Sequence, residues 1–383
     1  MKLRKEVWFI IICLVLSVGL FLVFKPSDGT KTKKGSNDSK PSGSGKDKPT
    51  EEVVKDKKMS LVMVGDTLIH GAVYYDASPN YSGQAPYDFS KMLTHISEYI
   101  KDYDLKYFNQ ESIIGGKAIG LSHYPRLNSP EEIGEDMVAA GFNMVSLANN
   151  HSFDKGDVGL VNSINFWKTQ NIITAGQYAS EEEQKEVPIH EKNGIKFAFL
   201  SYTTVTNGLS ASEPYYVNVY SNERVKEDVT KARQKGAEVV IVAMHWGAEY
   251  THEPVDEEVT IAKYLSELGV DLVIGTHPHV IQPIAYVGNT LVIYSLGNFL
   301  SAQHELGQEK IIGLTVGLDI VVDKDGKVKF ENIKPELNYT YCTWPNGYHN
   351  FSVYQFSQLD DSILPNYKSI EEKYMQIVHS EGV

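Results

Sequence analysis

Two histidines flank a proline in the stretch V-D-L-V-I-G-T-H-P-H-V, residues 270–280. Asp271 to Ile274 is a short β-branched and aliphatic run, the pattern of a strand buried on both faces, and Gly275-Thr276 ends it where the chain turns into a cleft. Pro278 disfavours helical geometry at His277, which predicts an extended residue there and both imidazoles, His277 and His279, projecting to one side of the strand end. Neutral imidazoles offered from one rigid edge are ligands for divalent transition metals. His-Pro-His alone reads equally as a surface turn, so the rest of the chain has to supply the other ligands.

It does so at four more strand ends. Leu61 to Val64 stops at Gly65-Asp66, with His70 four residues on; Leu105 to Phe108 delivers Asn109-Gln110-Glu111. Asn143 to Leu147 ends in Ala148-Asn149-Asn150-His151, and Val239 to Met244 runs into His245-Trp246-Gly247. Singly, Asp66 could cap a turn, Glu111 could be a solvated acid, Asn150 a turn former, His151 a satisfied core histidine and His245 a ring beside Trp246. Together, Asp66, Glu111, Asn150, His151, His245, His277 and His279 occupy five strand ends, the edge where α/β folds collect their sites. Mixed carboxylate, amide and imidazole ligation suits a pair of divalent ions such as Mn, Zn or Fe rather than Ca or Mg alone. Asp154 either orients His151 or caps the helix that starts near Asp157.

The elements that would position these residues alternate. Phe89 to Ile100 carries apolar residues at helical spacing, and Ser129-Pro130-Glu131-Glu132 predicts a serine-capped helix closing at Gly141. Helices are also expected near 157, over 223–235, 259–268 and 369–379. Further strands are expected over 171–175, 196–202, 280–287, 291–295, 311–322 and 327–333, the last two joined by the turn Asp323-Lys324-Asp325-Gly326. Alternation followed by consecutive strands predicts an α/β fold of two packed sheets with helices outside.

Residues 1–24 differ from this. Val7 to Phe24 is uncharged, apolar and long enough to span a bilayer, with Lys2, Arg4 and Lys5 before it. The expectation is a single transmembrane anchor in the cell membrane, N-terminus inside and folded part extracellular; cleavage as a signal peptide is the rival reading, and no A-x-A-like site follows the run. Residues 25–58, rich in Lys, Ser, Gly, Asp and Pro, read as a disordered linker. Residues 59–337 form the expected domain and 338–383 a C-terminal extension. From Met59 onward 23 Lys+Arg stand against 42 Asp+Glu, a charge near −19, which argues against a nucleic-acid partner. An anionic substrate would need a local cationic site, which bound metal ions supply. Cys13 and Cys342 offer no disulfide framework.

Six motifs occur in order: G-D at 65–66, N-x-E at 109–111, S-L-A-N-N-H at 146–151, H-W-G-x-E-Y at 245–250, G-x-H-P-H-V at 275–280 and Y-S-L-G-N-F at 294–299. The combination closely resembles the bacterial capsule-synthesis protein CapA/PgsA family, associated with poly-γ-glutamate and related to calcineurin-like metallophosphoesterases. The resemblance covers roughly residues 59–337. It implies a four-layer α/β/β/α metallophosphoesterase-like sandwich with a binuclear site. Glu111 would bridge, Asp66 and His279 would hold one ion, Asn150, His245 and His277 the other, and His151 would protonate a leaving group. Two positions depart from the wider phosphoesterase pattern: Leu68 stands where D-x-H has its histidine, and Glu111 replaces an aspartate. One ion would then have fewer protein ligands unless His70 reaches back. The implied role is action on, or assembly of, poly-γ-glutamate or a related envelope polymer, beside synthase or export membrane proteins. A general phosphoesterase and a non-catalytic scaffold of such a complex are the alternatives.

Overall fold

A computed structural model describes residues 56–343 and 348–380 of the chain. The expected anchor over 7–24 and residues 25–55 of the expected linker lie outside the described residues. Among the described residues no helix is long and apolar enough to cross a membrane.

The chain enters on β1 (Lys57–Thr67) and passes through α1 (Gly71–Asp76) and α2 (Ser90–Ile100) to β2 (Leu105–Gln110). Helix α3 (Glu132–Ala139) leads to β3 (Met144–Ser146), and α4 (Gly156–Thr169) to β4 (Ile173–Ala175). These four strands are parallel neighbours. After α5 (Glu181–Lys185) a second sheet begins with the hairpin β5 (His190–Lys192) and β6 (Ile195–Thr203). It continues through α6 (Asn222–Gln234), β7 (Val239–His245), α7 (Asp256–Glu267), β8 (Leu272–Thr276), β9 (Ile284–Val287) and β10 (Thr290–Ile293), in the order β5-β6-β7-β8-β10-β9. The chain then returns to the first sheet as β11 (Asn298–Leu300), β12 (Ile312–Val322), β13 (Val328–Thr343) and β14 (His349–Gln355), followed by α8 (Tyr367–Val378). That sheet has the order β14-β13-β12-β1-β2-β3-β4, with β11 also on β1.

Strand alternation explains the packing. On β1, Met59, Leu61 and Met63 enter a core shared with Phe197 and Phe199 of β6 and Ile241 of β7, while Val62 and Val64 meet Met92 and Ile96 of α2 and Met137 of α3. On β7, Val240 and Val242 turn the other way, to Val225 and Val229 of α6 and Ile261 and Leu265 of α7. Two mixed sheets therefore pack face to face with α2, α3, α6 and α7 against their outer faces, as the alternation of elements predicts, while Tyr374 and Val378 of α8 join the core between the sheets.

The differences from expectation are local. Ser129 does not cap: its hydroxyl donates to Ser112 Oγ at 2.8 Å, and α3 begins at Glu132 without a side-chain cap. The strand expected over 280–287 starts only at Ile284, after Pro283, and the strand expected over 327–333 runs on to Thr343. The aromatic-rich stretch beyond it supplies β14, which buries Phe351 and Val353 and stacks Tyr354 on His95 of α2 at 4.2 Å. The short elements α1, α5, β5 and β11 carry too few residues for a periodic signal.

Two glycines bring the sheets' strand ends to their neighbours. A Cβ on Gly65 would lie 1.8 Å from the Gly297 carbonyl oxygen, and one on Gly275 would lie 1.8 Å from the Tyr294 carbonyl oxygen. Gly65→Ala is expected to cost about 3 kcal/mol, the upper part of the usual overpacking range. A urea midpoint equal to that of the unsubstituted chain would contradict this close approach.

Candidate metal centre

The register of the parallel strands builds the site. Asp66 of β1 lies beside Asn109 of β2, Asn109 beside Ser146 of β3, and Asp66 beside Asn298 of β11. In the second sheet Thr203, His245 and Thr276 form the matching row across β6, β7 and β8. Each row stands at the carboxyl ends of its strands, where side chains leave the sheet and meet loops, except that Asn298 opens β11.

The seven expected strand-end residues are all buried, none more than 6% exposed. Donor atoms of Asp66, Glu111 and His279 lie within 4.8 Å of one another, as do those of Glu111, His245 and His277. Glu111 belongs to both groupings. Asn150 joins the second through its side-chain oxygen, 3.0 Å from His245 Nε2. His151 stands apart from both groupings: its Nδ1 pairs with Asp154 Oδ2 at 2.7 Å, and the same carboxylate oxygen accepts the Leu127 amide at 2.6 Å. Asp154 therefore orients His151 and does not cap α4, whose N-cap is Lys155.

Partners fix the ring orientations. Asn298 spends its amide N–H groups on Gln303 Oε1 and the Lys310 carbonyl, both at 2.8 Å, so its Oδ1 is the acceptor facing His279 Nδ1 at 3.1 Å. That places a proton on Nδ1 and turns Nε2 towards Glu111 Oε1, 3.6 Å away. His245 Nδ1 lies 3.0 Å from Thr276 Oγ1. Asn109 donates to Asp66 Oδ1 at 2.7 Å while its own oxygen accepts the Ser146 hydroxyl at 2.7 Å. These asparagine partners were not assigned from sequence. Asn109 and Asn298 nevertheless stood inside the quoted motifs, one before Glu111 and one after Gly297.

The His-Pro-His turn departs from the extended geometry expected of it. His277 has φ +100° and His279 φ +59°, both in the left-handed region that costs a non-glycine residue about 1–3 kcal/mol. The rings still converge, with centroids 5.9 Å apart and His277 only 4.8 Å from His245. His70 does not reach back to the groupings. Its Nδ1 is 3.0 Å from the Leu68 carbonyl and accepts the Ala302 amide at 3.2 Å. Burial pulls this imidazole down to about 4.

Charge is concentrated here at a high desolvation cost. Burial pushes the Glu111 carboxyl well above its ordinary range, and Asp66 adds to the shift while His279 opposes it. Burial pulls His245 well below the usual imidazole value and His277 to about 3, with their neighbouring histidines reinforcing both. For His279, burial is outweighed by Glu111 and Asp66, and its pKa rises to about 9. Neither oxygen of Glu111, nor Nδ1 of His277, has a hydrogen-bond partner, although all three atoms are buried. Oxygen and nitrogen donors left open in this way, at these separations, fit divalent cations.

The sequence also matches known proteins. The family model described as "Bacterial capsule synthesis protein PGA_cap" matches residues 60–303. The chain is 31% identical over 164 residues to the PGA biosynthesis protein CapA of Bacillus subtilis (strain 168), covering 42% of this chain and 43% of that one. It is 28% identical over 263 residues to the capsule biosynthesis protein CapA of Bacillus anthracis, covering 65% of this chain and 61% of that one. Both coverages fall short of two thirds of the relative's length. Among solved structures, the calcineurin-like phosphoesterase YfkN from Bacillus subtilis aligns over 84% of this chain and 99% of that one, at 15% identity and a TM-score of 0.45. With its family model matched from Ser60 to Gln303, the chain belongs to the bacterial capsule synthesis protein family, PGA_cap.

Proposed function

We propose that this chain is a membrane-anchored, extracellular CapA-like protein that acts in synthesis, export or processing of poly-γ-glutamate or a related envelope polymer through a binuclear, hydrolase-type metal site. The observation that carries the reading is Glu111, fully buried, with two unpartnered oxygens amid His245, His277, His279 and Asp66. Asp66, Glu111 and His279 would hold one cation and Glu111, Asn150, His245 and His277 the other; Mn, Zn or Fe suit these donors. Bound there, the cations would polarise an anionic or carbonyl oxygen of the substrate and make a water more acidic. The chain's own residues do the rest. Asn109, Asn298 and Thr276 hold ligands in register, and His151, steadied by Asp154, is placed to give a proton to a departing group. A folded part near −19 repels a polyanion, so cations at the cleft are what let such a polymer approach. The expected partners are the polymer itself and the membrane proteins that make or export it.

Metal analysis of the purified chain, with parallel assays on poly-γ-glutamate and para-nitrophenyl phosphate in the presence of Mn²⁺, tests this. Two bound divalent ions and shortening of the polymer are the expected results. Ester hydrolysis with the polymer untouched would favour a general phosphoesterase, and polymer bound but uncut would favour a scaffold. A chain that takes up no metal would remove the reading altogether.

A further inference from the structure

The two groupings are unequal: one offers Asp66, Glu111 and His279, the other Glu111, His245, His277 and the Asn150 oxygen. The position two residues after Asp66, where an imidazole would even them, is Leu68, which is 2% exposed and apolar. His70 is tied to backbone instead.

A third set of donors answers the shortfall. Carboxylate oxygen and imidazole nitrogens of Glu249, His277 and His279 also lie within 4.8 Å of one another. Its two histidines come one from each of the other groupings. Glu111 thus joins the pair from the buried side, and Glu249, an exposed residue, shares an imidazole with each from the solvent side.

The placement of Glu249 is built. Gly247, with φ +82°, turns the chain back just after the end of β7. Tyr250, itself at φ +66°, then donates its backbone N–H to the Pro278 carbonyl at 2.8 Å, stitching this loop to the residue between His277 and His279. The Tyr250 ring lies 6.0 Å from that of His279, with Lys310 Nζ 4.8 Å from the Tyr250 centroid. The carboxylate between these anchors is held over the mouth of the site.

We propose that Glu249 is a ligand of the metal pair, the solvent-side carboxylate that supplies the donor absent at Leu68. This rests on the binuclear reading of the site. Because the side chain is exposed, its replacement is expected to leave the fold intact, and because carboxylates bind divalent cations through a charge that an amide lacks, Glu249→Gln removes the ligand with little change of shape.

The test is calorimetric titration of the full-length chain with Zn²⁺, with stoichiometry checked by elemental analysis. The unsubstituted chain should take two ions. Glu249→Gln should weaken one of them by about tenfold or more, with the denaturation midpoint of the metal-free protein unchanged. Glu253→Gln, on the same loop and exposed, removes the same charge and should leave both affinities in place. Two ions of undiminished affinity in Glu249→Gln, or an equal loss in Glu253→Gln, would overturn the role of Glu249 while leaving the binuclear site standing. An unsubstituted chain that binds no Zn²⁺ would overturn both.

Discussion

Glu111→Gln is expected to empty the metal centre and, in the metal-free protein, to make the fold less sensitive to alkaline pH. The amide has the shape of the carboxyl but neither its charge nor a second acceptor oxygen. Because Glu111 belongs to both groupings, losing it reaches both cations, for an affinity loss of about 100-fold or more. The effect on the metal-free fold follows from burial. Folding raises the pKa of Glu111 well above its ordinary value, so above about pH 4.3 the native state holds a proton that the unfolded chain has released, and stability falls as pH rises. His279 and Glu111 share one proton: against burial, Glu111 and Asp66 raise the imidazole pKa from 6.5 to about 9, so the pair's contribution is complete below pH 6.5 and is lost as pH climbs through 9. That shift depends on Glu111 and should shrink with it. Urea midpoints of the two metal-free proteins between pH 6.5 and 9 should decline for the unsubstituted chain and stay flatter for Glu111→Gln. An equally steep decline in both would contradict the placement of Glu111 as a desolvated partner of His279.

His151→Ala should separate loading from turnover. The ring lies outside both metal groupings and pairs with Asp154, so its loss should leave metal content unchanged while the rate of bond cleavage falls by about 10²–10⁴, the usual weight of a positioned proton donor. The loss should appear in kcat with KM nearly constant, since nothing that holds substrate has been removed. Asp154→Asn should follow with a smaller loss, because the amide still offers an oxygen to the Leu127 N–H but steadies the imidazole less. Full turnover by His151→Ala would show that the proton comes from elsewhere.

The convergence of these side chains was readable in sequence because parallel strands deliver their last residues to one edge: Asp66, Glu111 and Asn150 follow strands of one sheet, His245 and the His277/His279 pair strands of the other, and the face-to-face packing of the two sheets brings the edges together. The ring geometry was not. Pro278 limits the helical region at His277 but does not exclude positive φ, and the Tyr250–Pro278 hydrogen bond that accompanies the turn joins segments far apart in sequence. Glu249 escaped for the same reason: although it is the glutamate of the quoted H-W-G-x-E-Y motif, four residues past His245 it reads as a loop acid until the turn at Gly247 is seen. Ser129 shows the converse, a good local cap signal overruled by a buried partner, Ser112, from another segment. The edge strand β14 was hidden because its register is set by β13 and by the His95 ring.

Anomalous diffraction from crystals of the chain grown with Zn²⁺, recorded on both sides of the zinc edge, tests the central claim most directly. The account predicts two peaks, one among Asp66, Glu111 and His279 and one among Glu111, His245 and His277, with Glu111 touching both. An empty crevice at saturating Zn²⁺, or peaks only at surface carboxylates away from Glu111, would contradict it.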